Sequence, residues 1–244
     1  MTSEGSFFDV KDLLSPPTKR AAYSDRMSYV LAEMSGLAYF PYEGVDRIVS
    51  DAASEAVQII LQHAGKNLEE FLTEFAAKLY QNKDSSLGSF KQILKAAGFD
   101  YIDHFDKVST QGFVCRKKVE GDDPYLVLAF RGTEKRIDDW LTDANAIPKQ
   151  KDGYRVHGGF YKAYELVKED IASILSRSEC HDENGELLPL YITGHSLGGA
   201  LALLATKYLA ADSAGACYTY GAPRVADYEF FFDIKTPVYR VVNS

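Results

Sequence analysis

The sequence predicts an α/β fold, with a mostly parallel central sheet covered by helices on both faces and an N-terminal helical elaboration ahead of it. Three observations carry this prediction. Apolar residues recur with a period of about 3.6 through residues 24–97, and the period falls to about 2 from Phe99 onward. Two nearly continuous apolar runs, at 125–130 and 188–193, have the composition of strands buried on both faces. Beyond the first of them, strand-like and helix-like segments alternate, the pattern of right-handed βαβ units.

Residues 1–20 are polar and end in Ser15-Pro16-Pro17-Thr18, which reads as an irregular arm. A helix is predicted over about 24–39. Ser24 suits its N-cap, Met27, Val30, Leu31, Met34 and Leu37 repeat at helical spacing, and Pro41 stops it. A second helical region covers about 51–80, with Val57, Ile60, Leu61, Leu68, Phe71 and Phe75 in its apolar stripe and a break near Gly65. A third helix, 89–97, ends at Gly98 in the C′ role. Segments 99–105 and 110–117 then read as paired antiparallel strands, and 125–130 as a buried one.

Helices are predicted at 135–145 and 159–176, the latter with Phe160, Ala163, Val167, Ile171 and Ile174 on one side. After the strand at 188–193 come a small-residue helix at 198–211, a strand at 216–220 and another at 238–242. Residues 1–98 are thus an N-terminal arm and helical elaboration, and residues 99–244 the core. The two are best regarded as one structural domain. No internal repeat or low-complexity segment interrupts them.

Bulk composition narrows the partners. A chain of 244 residues, 46% hydrophobic and 25% charged, can build one substantial core. A formal net charge of −8 argues against nucleic acid as the main partner, because phosphate backbones need clustered Lys and Arg. It also disfavours strong attraction to anionic lipid surfaces, and it is compatible with an uncharged substrate. Three cysteines, Cys115, Cys180 and Cys217, do not make a disulfide framework. Cys115 and Cys217 lie in apolar, strand-like contexts and read as buried thiols. Met1-Thr2-Ser3-Glu4-Gly5 carries no basic region followed by an apolar one, and no run reaches the roughly 18 apolar residues of a spanning helix. Cytoplasmic residence is the default expectation, with export without a cleaved signal left open.

The chemistry is concentrated at Gly194-His195-Ser196-Leu197-Gly198, between a buried strand and an Ala/Leu-rich helix. This is the context in which a G-x-S-x-G motif acts as a nucleophile elbow, and it specifies the α/β-hydrolase version of the fold. Ser196 must occupy a sharp, strained turn so that its hydroxyl stands above the sheet edge. Side chains two positions before and after would collide with neighbouring backbone, which glycine avoids. The helix that follows directs free N–H groups and its positive dipole end at the site, as a developing oxyanion requires. Ser196 is the predicted catalytic nucleophile. The backbone N–H of Leu197 is one oxyanion donor, and Thr133, after the strand ending at Phe130, is the other. Without the elbow, Gly132-Thr133 would read as only a turn and a helix cap.

Several segments occur together in a familiar order. They are Phe130-Arg131-Gly132-Thr133, Asp139-Trp140 with Asp143, His157-Gly158-Gly159-Phe160, Gly194 to Ala200, Tyr220-Gly221-Ala222-Pro223-Arg224-Val225, and Tyr239-Arg240-Val241-Val242-Asn243. In this set the sequence resembles the class 3 (fungal-type) lipase family over about residues 99–244. The resemblance implies an α/β-hydrolase that cleaves carboxylic esters of acylglycerols or phospholipids, with no metal or cofactor. The partner it implies is an acyl ester or lipid substrate, with transient contact at a lipid interface. It also implies that Thr133 holds the oxyanion position and that residues 134–148 correspond to a region that often forms a lid. Trp140 either packs that region against the core or lies on the substrate side.

His195 precedes the nucleophile on a chain of alternating side-chain direction, so a packing and hydrogen-bonding role fits it. His157 matches a family position other than the general base. His181 reads as solvated, and Cys180 with His181 makes no metal site. In this fold the triad runs serine, acid, histidine along the chain. After Ser196 the sequence holds the aspartates Asp212, Asp227 and Asp233 and no histidine; Asp227 and Asp233 fall before the last strand rather than after it, so neither is well placed. The expectation is therefore that the C-terminal part of the domain, with its acid and histidine, lies beyond Ser244, and that residues 1–244 alone hydrolyse esters very poorly. Two other readings compete: a lipase-like interaction module without chemistry, and a serine peptidase or thioesterase on the same fold.

Overall fold

In a computed structural model of the chain, the described residues are 7–10, 14, 22–40, 87–108, 110–119, 122–132 and 148–242. The helical regions expected at 51–80 and 135–145 lie outside them. The chain divides into two compact units, Met1–Tyr39 with Lys95–Ser244, and Phe40–Leu94.

In the first unit, α1 (Asp25–Leu37) begins where Ser24 turns to an extended backbone and its hydroxyl oxygen accepts the Met27 N–H at 3.2 Å. That is the predicted N-cap. Met27, Val30, Leu31, Met34 and Leu37 are all buried, the stripe read from their spacing. A second helix, α2, covers residues 87–96 and is followed by Gly98 at φ +76°, the left-handed turn expected of a C′ glycine. Within the smaller unit the Phe40 and Phe90 rings lie 5.9 Å apart, and Phe90 and Leu94 are buried.

The sheet is built from β1 (Phe99–Lys107), β2 (Thr110–Val119), β3 (Asp122–Phe130), β6 (Leu190–His195), β7 (Cys217–Tyr220) and β8 (Val238–Val241), in the order β1-β2-β3-β6-β7-β8. The first three pair antiparallel as a meander, and from β3 onward every pairing is parallel. The crossovers are helical: α3 (Gly158–Leu175) lies between β3 and β6, and α4 (Leu197–Leu209) between β6 and β7. Alternation sorts the strands' side chains. Leu126, Leu128, Phe130, Leu190, Ile192 and Cys217 join α3 and α4 in one core cluster. Their neighbours serve the face under α1, where Thr193 Oγ1 donates to the Leu31 carbonyl at 3.0 Å and the Tyr220 hydroxyl to that of Ser28 at 2.5 Å. An α/β-hydrolase sheet with helices on both faces is the result, as the sequence predicted.

One element went unpredicted. Strands β4 (Pro148–Lys151) and β5 (Tyr154–His157) form a separate hairpin closed by Asp152 and Gly153, at φ +50° and +86°. An Asp-Gly pair is the sequence signal for such a turn. It is weak here because Lys149-Gln150-Lys151 carries no apolar alternation and is largely exposed. The three cysteines are free and fully buried. Burial raises the thiol pKa of Cys115, pushes that of Cys180 up to about 11 and that of Cys217 up to about 12.

Candidate active site

Strand β6 lies parallel to β3 in a register that pairs Phe130 with Gly194. The chain therefore leaves both strands at the same sheet edge, the edge where open α/β sheets bind ligands. Leaving β3 it passes through Arg131 and Gly132; leaving β6 it turns at Ser196 and enters α4.

Ser196 adopts φ +59° and ψ −125°, the corner conformation of a type II′ turn that glycine normally takes. A residue with a Cβ held there stores about 1–3 kcal/mol of strain. Its surroundings hold it in place. The Ser196 N–H donates to the Tyr220 carbonyl at 2.9 Å, and the Ser196 carbonyl accepts from Gly199 and Ala200 at 3.0 and 3.3 Å. Tight packing at the flanking glycines closes the arrangement. A Cβ at Gly194 would fall inside 3.0 Å of the Gly198 and Gly199 backbone, and one at Gly198 inside 3.0 Å of the Phe130 and Arg131 backbone. Both walls are main chain and cannot rotate away. Leu197 is the first residue of α4 and is buried; its N–H belongs to the helix's first turn, where amides lack an intrahelical acceptor.

His195 turns its ring toward α1. Its Nδ1 lies 3.1 Å from the Tyr39 hydroxyl, and its Nε2 would be 3.7 Å from a Cβ placed on Gly221. His157 caps α3, its Nδ1 accepting the Phe160 N–H at 3.3 Å with the two rings stacked 3.9 Å apart. Burial lowers the His157 pKa, which favours the neutral ring this acceptor role needs. His104 meets the Tyr101 hydroxyl at 2.6 Å, and His181 the Arg177 carbonyl at 2.8 Å. Among the described residues no histidine is hydrogen-bonded to Ser196.

The aspartates after the elbow are committed locally. Asp212 pairs with Lys235 and Asp233 with Lys207, while Asp227 accepts the Arg155 N–H at 3.0 Å. Among the described residues no cluster of His, Cys, Asp or Glu could hold a metal ion. Nor is any described helix long and apolar enough to cross a membrane. Thr133, Asp139, Trp140, Asp143 and the rest of 133–147 lie outside the described residues.

Sequence reasoning missed Tyr39 at this edge. Its partner His195 is 156 positions away, and Tyr39 itself reads as the frayed end of a helix, so no local pattern marks it.

A strained serine between a parallel strand and a helix, hemmed in by glycines, defines a protein of the α/β-hydrolase class. Residues 127–244 match the profile of the family described as lipase (class 3). It is 27% identical over 212 residues to a secreted mono- and diacylglycerol lipase A of Penicillium cyclopium, covering 83% of this chain and 67% of the relative. A solved Rhizomucor miehei lipase–propeptide complex superimposes with a TM-score of 0.50 at 27% identity, over 61% of this chain and 50% of that one. A lipase from Rhizopus microsporus var. chinensis shares the fold over 93% of this chain and 71% of its own, with a TM-score of 0.51 at 20% identity. The chain thus spans between half and about seven-tenths of these proteins' lengths.

Proposed function

We propose that the protein is a serine carboxylic-ester hydrolase acting through an acyl-enzyme on Ser196. The observation that carries this is the Ser196 backbone at φ +59° between β6 and α4. Strain of that kind persists where exposing a nucleophile requires it. In the reaction, Ser196 Oγ forms a bond to the ester carbonyl carbon as a general base takes its proton, and the carbonyl π electrons move onto oxygen. The Leu197 N–H and Thr133 stabilise that oxyanion. Its collapse breaks the bond to the alcohol, which leaves with the proton, and water then releases the acid by the same steps. No cofactor takes part in these steps.

The substrate we propose is a neutral acyl ester, an acylglycerol or phospholipid met at a lipid interface. Similarity to the Penicillium enzyme and the net charge of −8 both support it. A non-catalytic interaction module is the weaker reading, since such a protein would have no use for a strained serine.

A fluorophosphonate probe is expected to label the full-length protein at Ser196 and to leave Ser196→Ala unlabelled; labelling of the alanine variant at full strength would refute the assignment. On esters, Thr133→Val should lower kcat with little change in KM. Loss of a whole oxyanion donor costs about 2.7–4 kcal/mol. The valine variant keeps its backbone N–H, so its loss should fall at or below that range. Wild-type kcat in this variant would remove the Thr133 hydroxyl from the site, and faster cleavage of peptide amides than of every ester would overturn the substrate class.

A further inference from the structure

Three chain segments far apart in sequence meet behind the elbow. The first is the end of α1, which delivers Tyr39. The second is the turn after β3, Arg131-Gly132. The third is the end of β6, His195. The Tyr39 hydroxyl lies 3.1 Å from His195 Nδ1, within hydrogen-bond distance. A Cβ on Gly132 would strike that same hydroxyl on one side and come within 2.6 Å of the His195 carbonyl oxygen on the other. The phenol therefore sits in the space Gly132 leaves free, between the two turns. Its ring is held as well. The Arg131 guanidinium carbon is 5.9 Å from the ring centroid, a cation–π distance, and Arg131 Nη1 donates to Gln111 Oε1 at 2.7 Å. Gln111 is fixed in turn through Nε2, which donates to Asp106 Oδ2 at 2.8 Å.

We propose that Tyr39 is a positioning residue for acyl transfer, setting the spacing between the nucleophile elbow and the turn that leads to the second oxyanion donor. The proposal rests on the serine-hydrolase reading of Ser196. One donor, the Leu197 N–H, rides on the elbow, and the other follows Gly132. Both must point at one oxygen that exists only in the transition state. Donors act there because they are already in place, so a small shift of one turn against the other weakens both. Tyr39 touches each turn, and the chain from Asp106 through Gln111 and Arg131 limits its own movement. Its effect belongs in the rate of acylation rather than in ground-state binding.

Tyr39→Phe in the full-length protein keeps the ring and removes the hydroxyl. Covalent labelling of Ser196 by a fluorophosphonate separates the maximal labelling rate from the half-saturating probe concentration. The maximal rate is expected to fall about two- to tenfold, the effect of one net hydrogen bond, with half-saturation unchanged. His195→Ala should slow labelling to a similar extent, and the double variant should be no slower than the worse single one, because both remove the same contact. A wild-type maximal rate in Tyr39→Phe, or effects that multiply in the double variant, would overturn the proposal. So would a fall in melting temperature with the remaining folded protein labelling at the wild-type rate, which would make Tyr39 a packing residue. Absence of labelling at Ser196 in the wild type is a different failure: it removes the serine-hydrolase reading itself, and this proposal with it.

Discussion

Replacing Ser196 by glycine is expected to abolish hydrolysis while making the protein more stable than its Ser196→Ala counterpart. Loss of a nucleophilic serine costs about 10⁶-fold in kcat in other serine hydrolases, leaving only what binding and the oxyanion donors supply. Stability should move the other way. Alanine at position 196 inherits the φ of +59°, whereas glycine adopts it freely. Relief of about 1–3 kcal/mol of strain is reduced by about 0.5–1 kcal/mol for the added freedom of the unfolded glycine chain. The glycine variant should therefore be more stable than the alanine one by up to about 2.5 kcal/mol, which at this size raises the melting temperature by up to about 10 °C. Thermal or urea unfolding of the two variants side by side checks it. A glycine variant less stable than the alanine one by about 0.5–1 kcal/mol, the cost of its unfolded-chain freedom alone, would mean that the elbow stores no strain at Ser196.

Gly198→Val is expected to be strongly destabilising at this edge. Its Cβ would drive into the Phe130 carbonyl and the Arg131 backbone, where no side chain can swing aside. Overpacking generally costs about 1–3 kcal/mol, and a main-chain wall places this variant at about 3 kcal/mol or beyond. The melting temperature should drop by about 6–12 °C, with activity lost alongside because β3 and α4 can separate only by moving the elbow. Gly88→Ala is the matching control. That glycine lies in α2 with open space around the position its Cβ would take, so alanine should stabilise by about 0.5–1 kcal/mol. A Gly198→Val protein that melts with the wild type would show that the backbone at Phe130 yields more readily than its place in a six-stranded sheet suggests.

Legibility followed the range of the interactions involved. The Ser24 cap, the stripe on α1, the glycine after α2 and the buried runs in β3 and β6 are set by neighbours within a few positions, so periodicity and composition reveal them. The sharp turn at Ser196 was legible for the same reason: strand, turn and helix are contiguous. The β4–β5 hairpin was missed because its turn signal sits between polar strands that bury little. Tyr39 was missed because its function depends on contacts with His195 and Arg131, made only once α1 has packed beneath the sheet. Side-chain direction at His195 could be read from strand alternation, but what it would meet there could not.

The three thiols give the molecule a built-in reporter of its own opening. Each is wholly shielded, and each has its pKa raised by that shielding. At neutral pH almost none of the reactive thiolate is present in the folded state, and no reagent can reach what little there is. Alkylation and oxidation therefore wait on unfolding events that uncover β2, the turn after α3, or β7. With an excess of thiol reagent, the rate of modification should level off at the opening rate of each segment and become independent of reagent concentration. Modification that low concentrations of denaturant fail to accelerate would show a thiol accessible in the closed protein. Chemical ageing of this chain is then governed by how often it opens, and much less by how oxidising its surroundings are.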